Sequence, residues 1–189
     1  MPILGVIASS RPPALGSYEA IQTLSGNGSS ATITFSSIPQ TYTHLQIRGT
    51  QQVHYNSSDY GNTGIRVNGD EGTNYTYHFM RAYFDGSTGN KQVGGSGIGS
   101  LNYALCSVGF LNQTTNTVFG SIYEILDYTS TSKRKVIRAT AGGTYSDRGI
   151  LQFGSSLWNN TSAVNSITLF ASNGAWSTRS IFTLYGIKE

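Results

Sequence analysis

Charge is what this sequence has least of. Only 11% of its 189 residues are Asp, Glu, Lys or Arg, less than half the roughly 25% of an average soluble domain. The 12 basic and 9 acidic residues leave a formal charge of +3. That balance is too weak and too scattered for a polyanion-binding surface, so no specific nucleic-acid partner is expected. The densest basic run, Lys133-Arg134-Lys135 with Arg138 nearby, reads as a solvated turn.

Cysteine is nearly absent. The single Cys106 excludes an intrachain disulfide, so stability must come from packing or oligomerisation. In the setting Leu105-Cys106-Ser107-Val108 it reads as a small buried thiol. Long apolar runs are missing, which excludes a membrane-spanning helix. The start, Met1 to Ala8, lacks the basic segment of a secretory signal. The expectation is a chain made in a cytoplasm and leaving it by cell lysis.

The signatures of several chemistries are missing as well. His44, His54 and His78 are widely spaced, with no HExxH and no Cys/His pair, so no metal is expected. Asp59, Asp70, Glu71 and Asp85 lie in glycine-containing loops but lack calcium-loop spacing. Glu124 and Asp127 sit in one hairpin, and a glycosidase pair would need a defined separation and environment. Gly94-Gly95-Ser96-Gly97-Ile98-Gly99 has neither the lysine nor the following helix of a phosphate cradle, and reads as a flexible turn. No cofactor and no catalytic residue is assigned, and the chain is not expected to be an enzyme.

What is present is the grammar of β-structure. Glycine supplies 23 residues, tyrosine 12 and phenylalanine 8. Ala31-Thr32-Ile33-Thr34-Phe35 alternates with period 2, and so does His44-Leu45-Gln46-Ile47-Arg48 beyond the turn around Pro39. Similar segments recur at Tyr18–Leu24, Ile65–Val67, Asn74–Phe84, Val118–Leu126, Lys135–Ala141, Ile150–Trp158, Ile167–Ala171 and Ile181–Ile187. Leu101–Phe110 reads as a strand or as one or two helical turns. In Val118–Leu126, Ile122 and Glu124 share one face while Phe119, Tyr123 and Ile125 share the other. Turn signals such as Asn27-Gly28, Asn68-Gly69 and Asn173-Gly174 separate the segments. About nine or ten short strands without a long helical period predict an all-β fold. The expected architecture is an antiparallel β-sandwich, jelly-roll-like, occupying residues 18–189.

Residues 1–17 differ. An apolar start is followed by Pro12-Pro13, which favours an extended path. This predicts an N-terminal arm that docks on a partner or a neighbouring subunit through Ile3, Leu4, Val6, Ile7, Pro12 and Pro13. Tyr55, Tyr60, Trp158 and Trp176 fall near polar segments and form a candidate carbohydrate-contact set. The alternative is that Trp158 ends a core strand and Trp176 covers a sheet edge.

Four stretches, MPILGVIASS, TITFSSIPQTYTHLQIRG, EILDYTSTSKRKVIRA and RSIFTLYGIK, together resemble small β-rich virion proteins of tailed bacteriophages, notably those of cyanobacteria. The resemblance runs from the arm to the last strand, and its motifs are structural. It implies a capsid decoration (cement) protein, or alternatively a tail or neck fibre module binding host-surface carbohydrate. It further implies a homotrimer, with the major capsid protein or neck and tail proteins as partners. No coiled coil or long β-helical shaft is present, which favours a small surface subunit.

Overall fold

A computed structural model describes residues 17–54, 60–86, 89–110, 118–145 and 148–188. The expected arm, apart from Ser17, lies outside the described residues. Every regular element among those described is a strand. In chain order they are β1 (Tyr18–Ser25), β2 (Thr32–Phe35), β3 (His44–Gln51), β4 (Val53–His54), β5 (Tyr60–Val67), β6 (Tyr75–Asp85) and β7 (Gly89–Leu101), followed by β8 (Ala104–Phe110), β9 (Phe119–Ile125), β10 (Lys135–Tyr145), β11 (Arg148–Trp158), β12 (Ile167–Ala171), β13 (Ala175–Trp176) and β14 (Ile181–Ile187).

The strands form an antiparallel sandwich. One sheet has eight strands in the order β1-β14-β3-β9-β10-β11-β6-β7, and the facing sheet has four, β2-β12-β5-β8. A short third pair joins β13 to β4. The alternation read from sequence now has a cause. Ile33 and Phe35 of β2, Leu45 and Ile47 of β3, and Tyr123 and Ile125 of β9 point between the sheets. There they meet Ile65, Val67, Ile167, Leu169, Phe182 and Leu184 in a common core. Successive residues of a strand face opposite sides, so each strand gives half its side chains to this core.

The eight-stranded sheet is wider than its partner because of two inserted hairpins. β6–β7 lies in sequence between β5 and β8 of the smaller sheet, and β10–β11 lies between β9 and β12. The hairpins pair with each other through β11 and β6, from Trp158↔Tyr75 to Arg148↔Asp85. β8 packs beneath β10, β11 and β6.

Three expectations change. The glycine-dense stretch expected to be a flexible turn is the interior of β7. There the ladder from Thr76↔Ile98 to Asp85↔Gly89, separated by a bulge from the Tyr75↔Leu101 pair, offsets the low strand preference of glycine. Two strands outrun the segments expected from sequence, since β3 continues to Gln51 and β5 begins at Tyr60, and between them Val53–His54 pairs with β13. The basic cluster is not wholly solvated. Lys135 is fully buried, and its Nζ donates to the carbonyls of Ser130 (2.6 Å), Lys133 (2.7 Å) and Thr161 (3.1 Å). A long ammonium is the one side chain here that supplies three donors to carbonyls the turn leaves unpaired. The alternatives left open for Leu101–Phe110 resolve as strand, with β8 beginning at Ala104.

One glycine has a steric reason. The Tyr42 ring lies flat on Gly186, where a Cβ would come within 2.3 Å of the ring. The amide N–H of Lys188 then donates to Ser17 O at 3.0 Å, tying the root of the N-terminal segment to the end of β14.

Candidate docking face

The solvent side of the eight-stranded sheet divides into a polar half and an apolar half. Register defines its rows, since residues directly opposite in an antiparallel pair point the same way. One row, Glu124, Arg138, Ser155, His78 and Ser96, runs across β9, β10, β11, β6 and β7. The next row is Ile122, Thr140, Phe153, Met80 and Gly94, and the one after it is Gly120, Gly142, Leu151, Ala82 and Gln92. A last row holds Thr144, Gly149 and Phe84.

Large apolar side chains stand on these rows in water. Met80 is 63% exposed, Phe153 50%, Leu151 44%, Ile122 41% and Phe84 37%. Together they expose on the order of 500 Å² in one contiguous patch, toward the upper end of the ~300–600 Å² that the largest patch on a monomer reaches. β11 carries large apolar residues on both sides, with Ile150 and Trp158 buried beside two polar residues. Gln152 and Ser156 are buried, while Leu151 and Phe153 face solvent. Gln152 Oε1 accepts from Arg81 Nε at 2.8 Å, and its Nε2 has no partner among the described residues. A strand that buries amides and exposes aromatics is costly for a lone domain.

Glycine shapes the relief. The Phe84 ring lies over Gly149, where a Cβ would meet it at 2.2 Å. Three adjoining recesses result. The first, about 330 Å³, lies among Met80, Ile122, Thr140 and Phe153. The second, about 440 Å³, lies between Met80, Phe153 and Leu151. The third, about 390 Å³, lies between Leu151, Ala82 and Phe84. Met80 and Phe153 form the ridge between the first two, and Ala82 and Leu151 the ridge between the second and third.

The polar border is internally bonded. Glu124 Oε2 pairs with Arg138 at 3.0 Å, and Glu124 Oε1 accepts from Gln46 Nε2 at 3.0 Å. Arg48 Nε donates to Gln46 Oε1. The Arg48 guanidinium also lies 4.8 Å from the Tyr18 ring centre and 5.6 Å from that of Tyr185. Charges engaged in this way orient a contact.

The residues expected from sequence fare unevenly. Ile3, Leu4, Val6, Ile7, Pro12, Pro13 and Tyr55 lie outside the described residues, and of Tyr60 only its place at the start of β5 is described. Trp158 and Trp176 are corrected. They are 1% and 0% exposed, so neither has a ring face to offer a sugar. Trp158 Nε1 donates to Asp70 Oδ2 at 2.7 Å. Trp176 packs edge-on against Phe182, with ring centres 5.2 Å apart. Asp70 is a loop clasp, accepting from Trp158, from Asn74 Nδ2 and from the Gly72 N–H. His44 is only partly exposed, and its Nδ1 accepts the Asp127 N–H at 3.0 Å. Among the described residues, no three His, Cys, Asp or Glu side chains gather as a metal site requires.

Sequence reading missed the apolar rows. Its signal was available in the two strands that carry apolar residues on both parities. β6 has Tyr75, Tyr77 and Phe79 on one side and Met80 and Phe84 on the other, and β11 has Ile150 opposite Leu151 and Phe153. Comparison with protein-family models, curated proteins and solved structures finds no match to this chain.

Proposed function

We propose that this protein is a structural, non-catalytic subunit of a tailed-phage particle, a decoration protein fixed to the capsid through its N-terminal segment. The observation that carries the structural reading is the exposed apolar face on the two inserted hairpins. A domain that adds strands and lines them with Met80, Leu151 and Phe153 on the wet side is built to contact other macromolecules. The recesses between those ridges are shallow, and the polar wall of the first, His78, Glu124, Arg138 and Ser155, has its two charges paired with each other.

The strand order supports reading the fold as a jelly roll. Without the two hairpins, the sheets read β1-β14-β3-β9 and β2-β12-β5-β8, so the chain alternates between sheets as two interleaved Greek keys do. The apolar sequence Ile3-Leu4 and Val6-Ile7 with Pro12-Pro13 supports the anchoring role of the N-terminal segment. Buried at roughly 25 cal/mol per Å², a few hundred Å² of such surface stabilises docking by several kcal/mol before ordering costs. Repetition over many copies then multiplies the effect. The carbohydrate-binding alternative loses Trp158 and Trp176 to the core.

The test is deletion of residues 1–13 followed by rebinding to particles that lack the protein. Loss of occupancy with an unchanged melting temperature is the expected result. Undiminished occupancy would remove the anchoring role. Absence of the protein from purified particles would remove the virion reading itself.

A further inference from the structure

We infer that the apolar face on β9, β10, β11 and β6 is covered by the same face of a second copy of this chain. The inference rests on the structural-subunit reading and names the partner of its exposed face.

Area is the first argument. The five large side chains supply the larger part of the ~800 Å² per partner of a standard interface, and the exposed border residues His78, Arg138 and Ser155 adjoin them. No other described part of the sheet carries such a patch, and the half around Gln46, Arg48 and Tyr185 is polar and internally bonded. Relief is the second. A two-fold contact must fit itself, so one patch has to supply both ridge and recess. Here the Met80–Phe153 ridge stands between recesses of about 330 and 440 Å³, and these recesses include the glycines Gly94 and Gly154. The ridge of one copy can enter the recess of the other, and reciprocally. Charge is the third. The row bordering the patch holds Glu124 beside Arg138, with Arg138 54% exposed. Both signs lie next to each other and are paired within the chain, so this border carries no net charge to repel a second copy. The inserted hairpins give the fourth argument. The strands that enlarge the sheet carry four of the five apolar residues on their outer side, so the insertions that distinguish the two sheets also supply the face.

The experiment is light scattering on the full chain across micromolar concentrations, for the wild type, Met80→Lys/Phe153→Lys and Thr34→Lys. Thr34 is exposed on β2, on the outer side of the facing four-stranded sheet. The wild type and Thr34→Lys are expected at twice the chain mass. The double variant is expected at one chain mass, with unchanged circular dichroism and melting. Met80→Ser, which introduces no charge into the sheet, is expected to weaken pairing roughly tenfold or more and serves if the double variant folds poorly. A monomeric wild type, an odd-numbered assembly, or pairing that survives these substitutions would overturn the inference. A wild type that is monomeric yet occupies particles loses only the pairing. A dimer never found on particles keeps the pairing and loses the virion reading.

Discussion

The indole N–H of Trp158 donates to the Asp70 carboxylate at 2.7 Å, joining the end of β11 to the turn after β5. The same carboxylate accepts from Asn74 and the Gly72 N–H. The backbone carbonyl of Asp70 accepts the Tyr75 hydroxyl at 3.1 Å, and that hydroxyl accepts the Val67 N–H at 3.0 Å. Asn68 and Gly69 both take positive φ, 53° and 68°, as a type I′ turn closed by the Asp70 N–H on Val67 O requires. One acid thus secures a turn, a tryptophan and a buried tyrosine.

This arrangement predicts acid sensitivity. Partial burial works against the Asp70 charge, but hydrogen bonds from Trp158, Asn74 and Gly72 outweigh it and hold the carboxyl below its ordinary 3.8. A depressed folded-state pKa contributes stability above the unfolded value, and that stability is lost as pH falls through the folded one. The difference in melting temperature between about pH 7 and about pH 3 is expected to be smaller in Asp70→Asn than in the wild type. Asp70→Ala, which leaves the indole N–H unpaired, is expected to cost about 2 kcal/mol near neutrality in urea unfolding.

Alkali acts on the neighbouring tyrosine in the opposite sense. Burial pushes the Tyr75 hydroxyl up to about 12 from an ordinary 10.0. A raised folded-state pKa gives stability that is complete below the unfolded value and lost as pH rises through the folded one. Unfolding free energy is therefore expected to fall as pH rises between about 10 and 12, and Tyr75→Phe is expected to reduce that fall. Lys135, whose pKa burial lowers, works against this trend over its own range. The readout is therefore the difference between wild type and Tyr75→Phe under identical conditions.

Lys135 and Lys133 are two residues apart but should behave differently on substitution. Lys135→Met removes the donor shared by the carbonyls of Ser130, Lys133 and Thr161, and is expected to cost about 3 kcal/mol in urea unfolding. Lys133 is exposed and pairs at the surface with Asp127 at 2.7 Å. Lys133→Ala is expected to leave the unfolding midpoint nearly unchanged.

Trp176 tests whether an aromatic in a polar segment is a binding platform or core. Its ring is fully buried, and its Nε1 donates to Leu169 O at 3.4 Å. Trp176→Ala is expected to destabilise the domain by about 3–5 kcal/mol. Trp176→Phe is expected to recover part of that loss, as a packing role predicts. Equal stability of wild type and Trp176→Ala would contradict the placement.

The sequence by itself determined the strand class and much of the face assignment. The alternation in Ala31–Phe35, His44–Arg48 and Val118–Leu126 is a local period-2 pattern, and burial of one parity follows from the pleat. That is why Ile33 with Phe35, Leu45 with Ile47, and Tyr123 with Ile125 were legible as sharing a side, with Ile122 and Glu124 together on the opposite side of their strand. Tertiary structure decided what depends on residues distant in the chain. The strand character of Gly89–Leu101 comes from its ladder with β6. Trp158 is buried because Asp70, far from it in sequence, supplies the acceptor for its N–H. Lys135 is buried because a turn and a separate loop aim three carbonyls at one point. The apolar rows arise only when β11 pairs with β6, since Phe153 and Met80 become neighbours through register between two hairpins. Periodicity tells which residues of one strand share a side. Only the pairing of strands tells what that side becomes.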